Sequence, residues 1–192
     1  ALAIDTTAGE RERQSLEPLF ANPVARSKIL LGKLGATGAF ALTTLLLSII
    51  AFSFAGQFMP TDKLGMTLSI GPRFALLTLL TMFPLVFLIS SLQTLAAAFA
   101  KTFREAQTYL SLLMFVPAVP TMLMSVFPFK TETWMYAVPL VGQQVTITRL
   151  MRGEFVSSFE IALCVVCTSL AAVLVYFITA RIYEGERLAI ST

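Results

Sequence analysis

The chain changes character where TTAGERERQSLEPLFANPVARSKILLGK, residues Thr6–Lys33, meets LGATGAFALTTLLLSIIAFSFAGQF, residues Leu34–Phe58. The first stretch, called the connector below, is rich in Glu, Arg and Lys. The second has no charged residue and is longer than the roughly 20 apolar residues that a membrane-spanning helix needs. This junction predicts a helix that enters the bilayer from water, with most contacts to any soluble partner made by the connector.

Three further stretches are long and apolar enough to span a membrane: Phe74–Ala100, Tyr109–Phe127 and Ile161–Tyr183. Their only charged residue is Arg181, near the end of the last one, where its side chain can reach the interface. Hydrophobic residues make up 56% of the 192 positions and charged residues 13%, against roughly one quarter charged in soluble domains. The sequence therefore predicts an all-α, polytopic membrane protein with four transmembrane helices.

Helix-start signals agree with these boundaries. Capping-box patterns occur at Thr102 to Glu105, before the third span, and at Ser157 to Glu160, before the fourth. A third pattern, Thr7 to Glu10, opens the connector. Asn22-Pro23 supplies an N-cap with proline in the first helical position, so a helix is expected to start on the membrane surface and continue through Lys33 into the first span.

The distribution of lysine and arginine predicts the orientation. The side that holds the connector has nine of these residues: Arg11, Arg13, Arg26, Lys28, Lys33, Lys101, Arg104, Arg181 and Arg187. The opposite side has five: Lys63, Arg73, Lys130, Arg149 and Arg152. The positive-inside rule then places the connector in the cytoplasm of a multi-pass plasma-membrane protein. The small net charge of +3 suits contact with lipid headgroups and not with nucleic acid.

The connection Pro128–Ser157, called the outer hairpin below, is partly apolar and lies on the opposite side. A short helix is expected from Pro139 to about Arg152, with Gly153 as its C-terminal stop and Arg149 and Arg152 complementing its dipole. Trp134 and Tyr136 suit the headgroup zone. One interpretation is a re-entrant or interfacial hairpin that closes the outer mouth, and the other is an amphipathic helix on the surface. The candidate residues are Pro139, Gln143, Gln144 and Arg149.

Neutral polar residues and prolines mark the interior of the spans. A polar patch comprises Ser90, Ser91, Gln93 and Thr94. These side chains either face a transport route or form interhelical hydrogen bonds. Pro84, Pro117 and Pro120 interrupt helix hydrogen bonding, either along a route or as packing kinks. Gly32, Gly35, Gly38 and Ala39 form a small-residue stripe suited to close helix contact or to a dimer seam.

Several classes of catalytic and binding motif are missing from the sequence. There is no histidine, no Walker phosphate-binding loop and no nucleophile with a visible base, so the chain is not expected to be an enzyme or to hold a cofactor. Cys164 and Cys167 lie within the last apolar span, where packing is favoured over redox or metal chemistry. The spans also lack the intramembrane carboxylates of ion-coupled carriers, which indicates an energy source outside this chain.

The run AGERERQSLEPLFANPVARSKILLGK, residues Ala8–Lys33, resembles the cytoplasmic segment after the second membrane helix of type-2 ATP-binding-cassette (ABC) permeases. The similarity is to the NatB-like branch, named for sodium extrusion. PLVGQ at Pro139–Gln143 and RGE at Arg152–Glu154 are similar to the outer hairpin before the sixth helix of that family. The resemblance covers essentially the whole chain. It also implies that the family's first helix, its large extracytoplasmic domain and most of its second helix would lie upstream of Ala1.

The resemblance implies that the connector docks into a groove of an ATPase subunit, which would hold ATP and Mg, beside a second permease copy or paralogue. Residues 1–33 would then comprise the end of a membrane helix and the coupling segment, 34–183 the transmembrane domain and 184–192 a cytoplasmic tail. The coupling residues expected from the connector are Glu10, Arg11, Arg13, Leu16, Glu17, Leu19 and Phe20. Pro18 prevents one unbroken helix there. A solvated helix along the headgroups is the alternative.

The expected function is that of an export permease driven by ATP hydrolysis in a partner. Sodium is the substrate that the resemblance suggests, although the spans supply no carboxylate to bind it, and related permeases move lipids, drugs and peptides. A membrane anchor or scaffold that recruits a cytosolic protein through the same connector is the competing hypothesis. A neighbouring gene for an ATPase with Walker motifs favours the permease. An intramembrane hydrolase is a third reading, and it requires catalytic residues upstream of Ala1.

Overall fold

A computed structural model of the protein describes residues 26–56, 58, 70–100, 102–126 and 130–185. Within these residues the chain forms helices and no strand. In chain order they are α1 (Arg26–Gly56), α2 (Pro72–Phe99), α3 (Phe103–Val126), a 3₁₀ helix (Thr133–Ala137), α4 (Val141–Met151) and α5 (Ser158–Gly185). The all-α prediction is confirmed.

Four of the described helices are long and apolar enough to cross a membrane. The spanning segments are Lys28–Gly56, Pro72–Phe99, Phe103–Met124 and Ser158–Ile182. The prediction of four transmembrane helices is therefore confirmed. Each helix begins before its purely apolar run, because the first turns carry the capping and charged residues that face water or headgroups.

Capping side chains explain where α3 and α5 begin. The backbone N–H of Glu105 donates to Oγ1 of Thr102 at 3.2 Å. At the start of α5, the backbone N–H of Ser157 donates to Oε2 of Glu160 at 2.8 Å. Each bond satisfies a backbone N–H that has no partner within its helix. The other predicted starts, at Thr7 and at Asn22-Pro23, lie outside the described residues.

Helix α1 runs without a break from Arg26 past Lys33 to Gly56, as expected for a helix that continues from the connector into the membrane. Helices α2 and α3 also remain helical through their prolines, which are Pro84 in α2 and Pro117 and Pro120 in α3. Each proline still removes one N–H from the helix, so the carbonyl four residues earlier loses its usual partner. For Pro84 that carbonyl belongs to Leu80.

The described residues group into two compact units. The first comprises 26–40, 87–100, 102–116 and 172–185. Leu30 and Leu34 of α1 are buried there with Ala98 of α2, and Tyr176 and Ala180 of α5 pack against them. Small residues such as these alanines allow helices to approach closely where lipid provides no hydrophobic driving force.

The second unit comprises 41–56, 58, 70–86, 117–126 and 130–171. It contains the larger buried apolar cluster. The fully or largely buried members of this cluster are Phe74, Met135, Tyr136, Val145, Leu150, Val156, Ile161 and Cys164. Because α2, the 3₁₀ helix, α4 and α5 all contribute, the outer hairpin is packed into a protein core.

The spans differ in how much of their surface the protein covers. In α2, 39% of the most apolar window is buried, against 11% in α1, 6% in α3 and 17% in α5. The exposed side chains of α3 include Leu112, Phe115 and Met122. The described spans α1, α3 and α5 therefore expose more of their apolar surface than α2 does, and membrane helices present such surface to lipid or to other chains.

Candidate functional site

The outer hairpin is built on an unusual turn at the start of α4. The helix predicted from Pro139 to about Arg152 begins two residues later, at Val141. Leu140 has φ 74° and ψ −49°, a positive-φ conformation close to that of a strained γ-turn, which costs on the order of 1–3 kcal/mol. Its backbone N–H donates to Oε1 of Gln143 at 2.8 Å, which helps to hold this conformation.

The end of α4 follows the prediction. The helix ends at Met151, Arg152 caps it and Gly153 has φ 71°. Glycine adopts that conformation without the steric cost of a Cβ, which is why it is common just past helix ends. The hairpin thus has two residues with positive φ, one where α4 begins and one just after it ends.

Gly142 allows α4 to lie very close to its neighbours. A Cβ added at this position would be 2.7 Å from the carbonyl oxygen of Tyr136 and 3.1 Å from Sγ of Cys164. The Gly142 N–H also donates to the carbonyl of Val138 at 2.9 Å. The first turn of α4 is therefore fitted against both the 3₁₀ helix and α5. Cys164 is fully buried at this contact, as the packing interpretation predicts.

Gln143 connects α4 to two transmembrane helices. Its side chain is 1% exposed, and Nε2 donates to Oγ1 of Thr168 in α5 at 2.8 Å. Nε2 also lies 3.5 Å from the carbonyl oxygen of Thr81 in α2, near the point where Pro84 removes a helix bond. With Oε1 bonded to Leu140, both ends of the amide have partners.

Arg149 joins the hairpin to the first turn of α5. From its guanidinium, Nη1 donates to the hydroxyl of Tyr136 at 2.6 Å and to Oε1 of Glu160 at 3.1 Å. Nε donates to Oε2 of Glu154 at 3.2 Å, and Nη2 donates to the carbonyl of Phe155 at 2.7 Å. The prediction gave Arg149 only a dipole role, whereas the structure shows a half-buried ion-pair network.

Electrostatics favour this arrangement at neutral pH. Burial raises the pKa of the Tyr136 hydroxyl above its ordinary value of 10.0, so the hydroxyl stays protonated. The hydrogen bond to Tyr136 raises the pKa of Arg149, so the guanidinium stays charged. Glu160 also caps Ser157, so a single carboxylate both starts α5 and holds the hairpin arginine.

The aromatic residues of the hairpin have different environments. Trp134 is 59% exposed, and its Nε1 donates to Oε2 of Glu132 at 2.8 Å, which suits an interfacial position. Tyr136 is only 1% exposed. Tyr136 therefore packs in the protein core, and its hydroxyl accepts a hydrogen bond from Arg149.

The remaining predicted hairpin residues are peripheral. Pro139 and Gln144 are half-buried. The backbone N–H of Gln144 donates to the carbonyl of Leu140 at 3.0 Å and closes the first turn of α4. Of the four candidates in the hairpin, Gln143 and Arg149 are the two whose side chains connect α4 to other elements.

The polar patch of α2 lies in the first unit. Ser90, Ser91 and Thr94 are buried, and Gln93 is half-buried. The Thr94 hydroxyl donates to the carbonyl of Ser90 at 2.9 Å, so it is used within its own helix. Pro117 is exposed and Pro120 half-buried, and both belong to the second unit. The six residues assigned to a transport route therefore divide between the two units.

All seven predicted coupling residues, from Glu10 to Phe20, lie outside the described residues. Sequence reasoning also missed Tyr136 as the partner of Arg149, and Thr81 and Thr168 as the partners of Gln143. As a neutral polar residue in an apolar span, Thr168 could have been singled out from the sequence. Its partner Gln143 could not, because the two residues are 25 positions apart. Thr81 contributes a backbone carbonyl, which has no sequence signature.

Comparisons with known proteins agree with this architecture. The family described as ABC-2 family transporter protein matches residues 1–184. The chain is similar to the ABC transporter permease protein NatB of Bacillus subtilis (strain 168), with 29% identity over 162 residues, which are 79% of this chain and 40% of that protein. The chain thus spans 40% of the length of this curated relative. No solved structure matches the chain.

Proposed function

Because this chain belongs to the ABC-2 family of transporter proteins, a family of ABC permeases, we propose that it works in an exporter driven by ATP hydrolysis in a partner subunit. It is a multi-pass protein of the plasma membrane.

The observation that carries the proposal is the length and continuity of α1. The helix has 31 residues and is therefore about 46 Å long at 1.5 Å per residue. The hydrocarbon core of a bilayer is about 30 Å thick. About 16 Å of helix then extends beyond the core, and Lys28 and Lys33 mark this end. A push on that end moves the transmembrane part of the same helix.

The connector is the proposed docking element for the ATPase. Leu16, Leu19 and Phe20 offer apolar contact, and Glu10, Arg11, Arg13 and Glu17 surround them with charges of both signs. Alternating charges around an apolar centre suit a specific protein partner, because they fix its register. ATP and Mg would bind to the partner, since this chain has no Walker sequence.

The outer hairpin is the proposed gate element. Gln143 and Arg149 attach α4 to α5 through hydrogen bonds of 2.8 Å and 3.1 Å. A movement of α5 therefore carries the hairpin with it. The carrier would work as a pair with a second copy or paralogue, and the exposed faces of α1, α3 and α5 are available for that copy or for lipid.

Sodium is the first substrate to test, and amphiphiles such as lipids and drugs come next. The middle of every described span is uncharged, so a transported ion would meet hydroxyl and carbonyl oxygens there. An uncharged interior also favours an external energy source over ion coupling.

Co-expression with a candidate partner ATPase tests the central part of this proposal. The full-length permease is expected to co-purify with that ATPase and to change its rate of ATP hydrolysis in lipid nanodiscs. A scaffold is expected to bind a cytosolic protein without any nucleotide dependence. Co-purification of a partner that neither binds nor hydrolyses ATP would therefore overturn the permease proposal in favour of the scaffold.

A further inference from the structure

One hydroxyl in the second unit has no partner. Among the residues that the structure describes, Oγ1 of Thr78 is the buried side-chain polar atom without a hydrogen bond. Thr78 is 5% exposed. A buried hydroxyl without a partner costs free energy and is rare in native proteins. The absence of a hydrogen bond to Oγ1 of Thr78 therefore needs a physical explanation.

Other span threonines satisfy their hydroxyls within the helix. Thr37 donates to the carbonyl of Lys33, Thr81 to that of Leu77 and Thr179 to that of Val175, each at 2.8–2.9 Å. The same bond would be available to Thr78 with the carbonyl of Phe74. Its hydroxyl instead remains unused, although helical threonines have easy access to this bond.

Thr78 lies on the face of α2 that contacts the outer hairpin. Phe74, Thr78 and Thr81 are spaced four and three residues apart, so they form one stripe along the helix. Phe74 is buried in one cluster with Tyr136 and Val145 of the hairpin. The carbonyl of Thr81 accepts from Gln143. Thr78 therefore lies between two points at which α2 contacts the hairpin.

The hairpin is held more firmly to α5 than to α2. Hydrogen bonds of 2.8 Å from Gln143 to Thr168 and 3.1 Å from Arg149 to Glu160 connect it to α5. Its hydrogen bond to α2 is 3.5 Å long, beyond the usual 2.7–3.2 Å range for such bonds. Among the described residues, the Arg73 guanidinium of α2 also lies 5.7 Å from the ring centre of Phe155, and both residues are exposed. The hairpin can therefore slide along α2, together with α5, more easily than it can slide along α5 itself.

We propose that Thr78 is a positioning residue that offers Gln143 a second hydrogen-bonding station on α2, used when the hairpin and α5 slide by about one helical turn. This inference rests on the proposed transport function, because the slide is a step of the transport cycle. Thr78 lies three residues before Thr81, and shifts of one turn, about 5.4 Å, are a known mode of switching between packed helices. In the shifted state the Thr78 hydroxyl accepts from Nε2 of Gln143.

The proposal predicts opposite effects of one substitution on two measurements. Thr78→Val removes the hydroxyl but keeps the shape of the side chain. In the state described here it removes an unpaired buried group, so thermal stability is unchanged or higher. In the shifted state it removes the new partner of Gln143, so that state is depleted by about fivefold, the factor for one ordinary hydrogen bond. A hydroxyl with only a structural role would not produce this combination.

Distance measurements between two spin labels test the slide directly. Genetically encoded spin-label residues replace Leu76 of α2 and Trp134 of the hairpin, which are both exposed, so that Cys164 and Cys167 stay in place. The full-length permease is measured alone and in complex with ATP-trapped ATPase. Two separations are expected, differing by roughly one turn, with the second more populated in the trapped complex.

The variants decide the outcome. Thr78→Val is expected to reduce the second population about fivefold. Two controls are expected to leave the second population as in the wild type. Thr78→Ser keeps the hydroxyl. Thr179→Val removes a buried hydroxyl whose hydrogen bond lies within its own helix. A single separation in every condition, or an unchanged second population in Thr78→Val, would overturn the inference. ATP-dependent transport by the unlabelled wild type decides the proposed function separately.

Discussion

Gln143 and Thr168 are hydrogen-bonded at 2.8 Å in the protein interior, and this bond joins the helix of the outer hairpin to the last transmembrane helix. Gln143 is 1% exposed and Thr168 is fully buried. An amide in this position must keep all of its partners, because a buried polar group that loses one incurs the full desolvation cost. Gln143 also accepts a hydrogen bond from the backbone N–H of Leu140, which has positive φ.

Replacing Gln143 with leucine should therefore destabilise the second unit. The change leaves the Leu140 N–H and the Thr168 hydroxyl without Gln143, and the expected loss is about 1–3 kcal/mol. Thermal unfolding of the full-length protein in detergent measures it. Gln144→Leu, at the neighbouring half-buried position, is the matched control and should change stability by less than about 0.5 kcal/mol. Equal losses in the two variants would contradict the assigned role of Gln143.

Gly142→Ala tests the close contact between α4 and the 3₁₀ helix. The new Cβ would be 2.7 Å from the backbone oxygen of Tyr136, so the backbone must shift. We expect a loss of about 1–3 kcal/mol, as for other overpacked cores. In Gly35→Ala, the Cβ has no atom of the described residues within 4 Å, so this control should be neutral or slightly stabilising. A neutral Gly142→Ala would show that the helix has room to move there.

Tyr136→Phe tests the arginine network and its pH dependence. At pH 7 the variant loses the hydrogen bond to Arg149, and we expect a loss of about 2 kcal/mol. The folded state raises the pKa of Tyr136, so it binds this proton more tightly than the unfolded chain does. The stability that the protonated Tyr136 hydroxyl contributes is present below pH 10 and is lost as the pH rises through the pKa of Tyr136 in the folded protein.

The difference between wild type and Tyr136→Phe should consequently shrink above pH 10. Unfolding curves recorded from pH 7 to pH 11 measure it. Tyr176→Phe, at a half-buried tyrosine of α5, is the control and should change stability by less than about 0.5 kcal/mol. A difference that stays constant or grows above pH 10 would contradict the buried, protonated state of Tyr136.

The connector prediction concerns coupling to the ATPase. Leu16→Ala combined with Glu17→Lys should detach or uncouple the ATPase and leave membrane insertion intact, because these changes remove an apolar contact and reverse a charge. Co-purification and ATP hydrolysis are the measurements. Leu188→Ala with Glu186→Lys makes the same pair of changes in the tail and serves as the control. Normal co-purification and transport in the connector variant would exclude the connector as the coupling element.

Local features of the fold were predictable from the sequence, and long-range ones were not. The spans follow from uncharged apolar runs, and the starts of α3 and α5 follow from Thr102 and Ser157, whose partners lie three residues away. The stop at Gly153 follows from the preference of glycine for positive φ. In each case the cause lies within one helical turn.

The site depends on contacts between residues far apart in the chain. Leucine is a poor residue for positive φ, so the turn at Leu140 has no sequence signal and depends on the packing of Gln143. A tyrosine is common at membrane interfaces because one end is apolar and the other polar. In the structure, Gly142 has no Cβ, so the backbone of Tyr136 can pack directly against α4. Sequence patterns therefore identified Gln143 and Arg149 as candidates but did not identify their partners.

The most direct measurement of the central claim is transport by the purified complex. The full-length permease and its ATPase are reconstituted into lipid vesicles, and movement of radioactive sodium and of a fluorescent amphiphile is recorded with and without ATP. We predict ATP-dependent movement of at least one of the two compounds, and sodium is the first candidate. We predict no movement of either compound when the Walker lysine of the ATPase is replaced. A complex that hydrolyses ATP but moves neither compound would contradict the account.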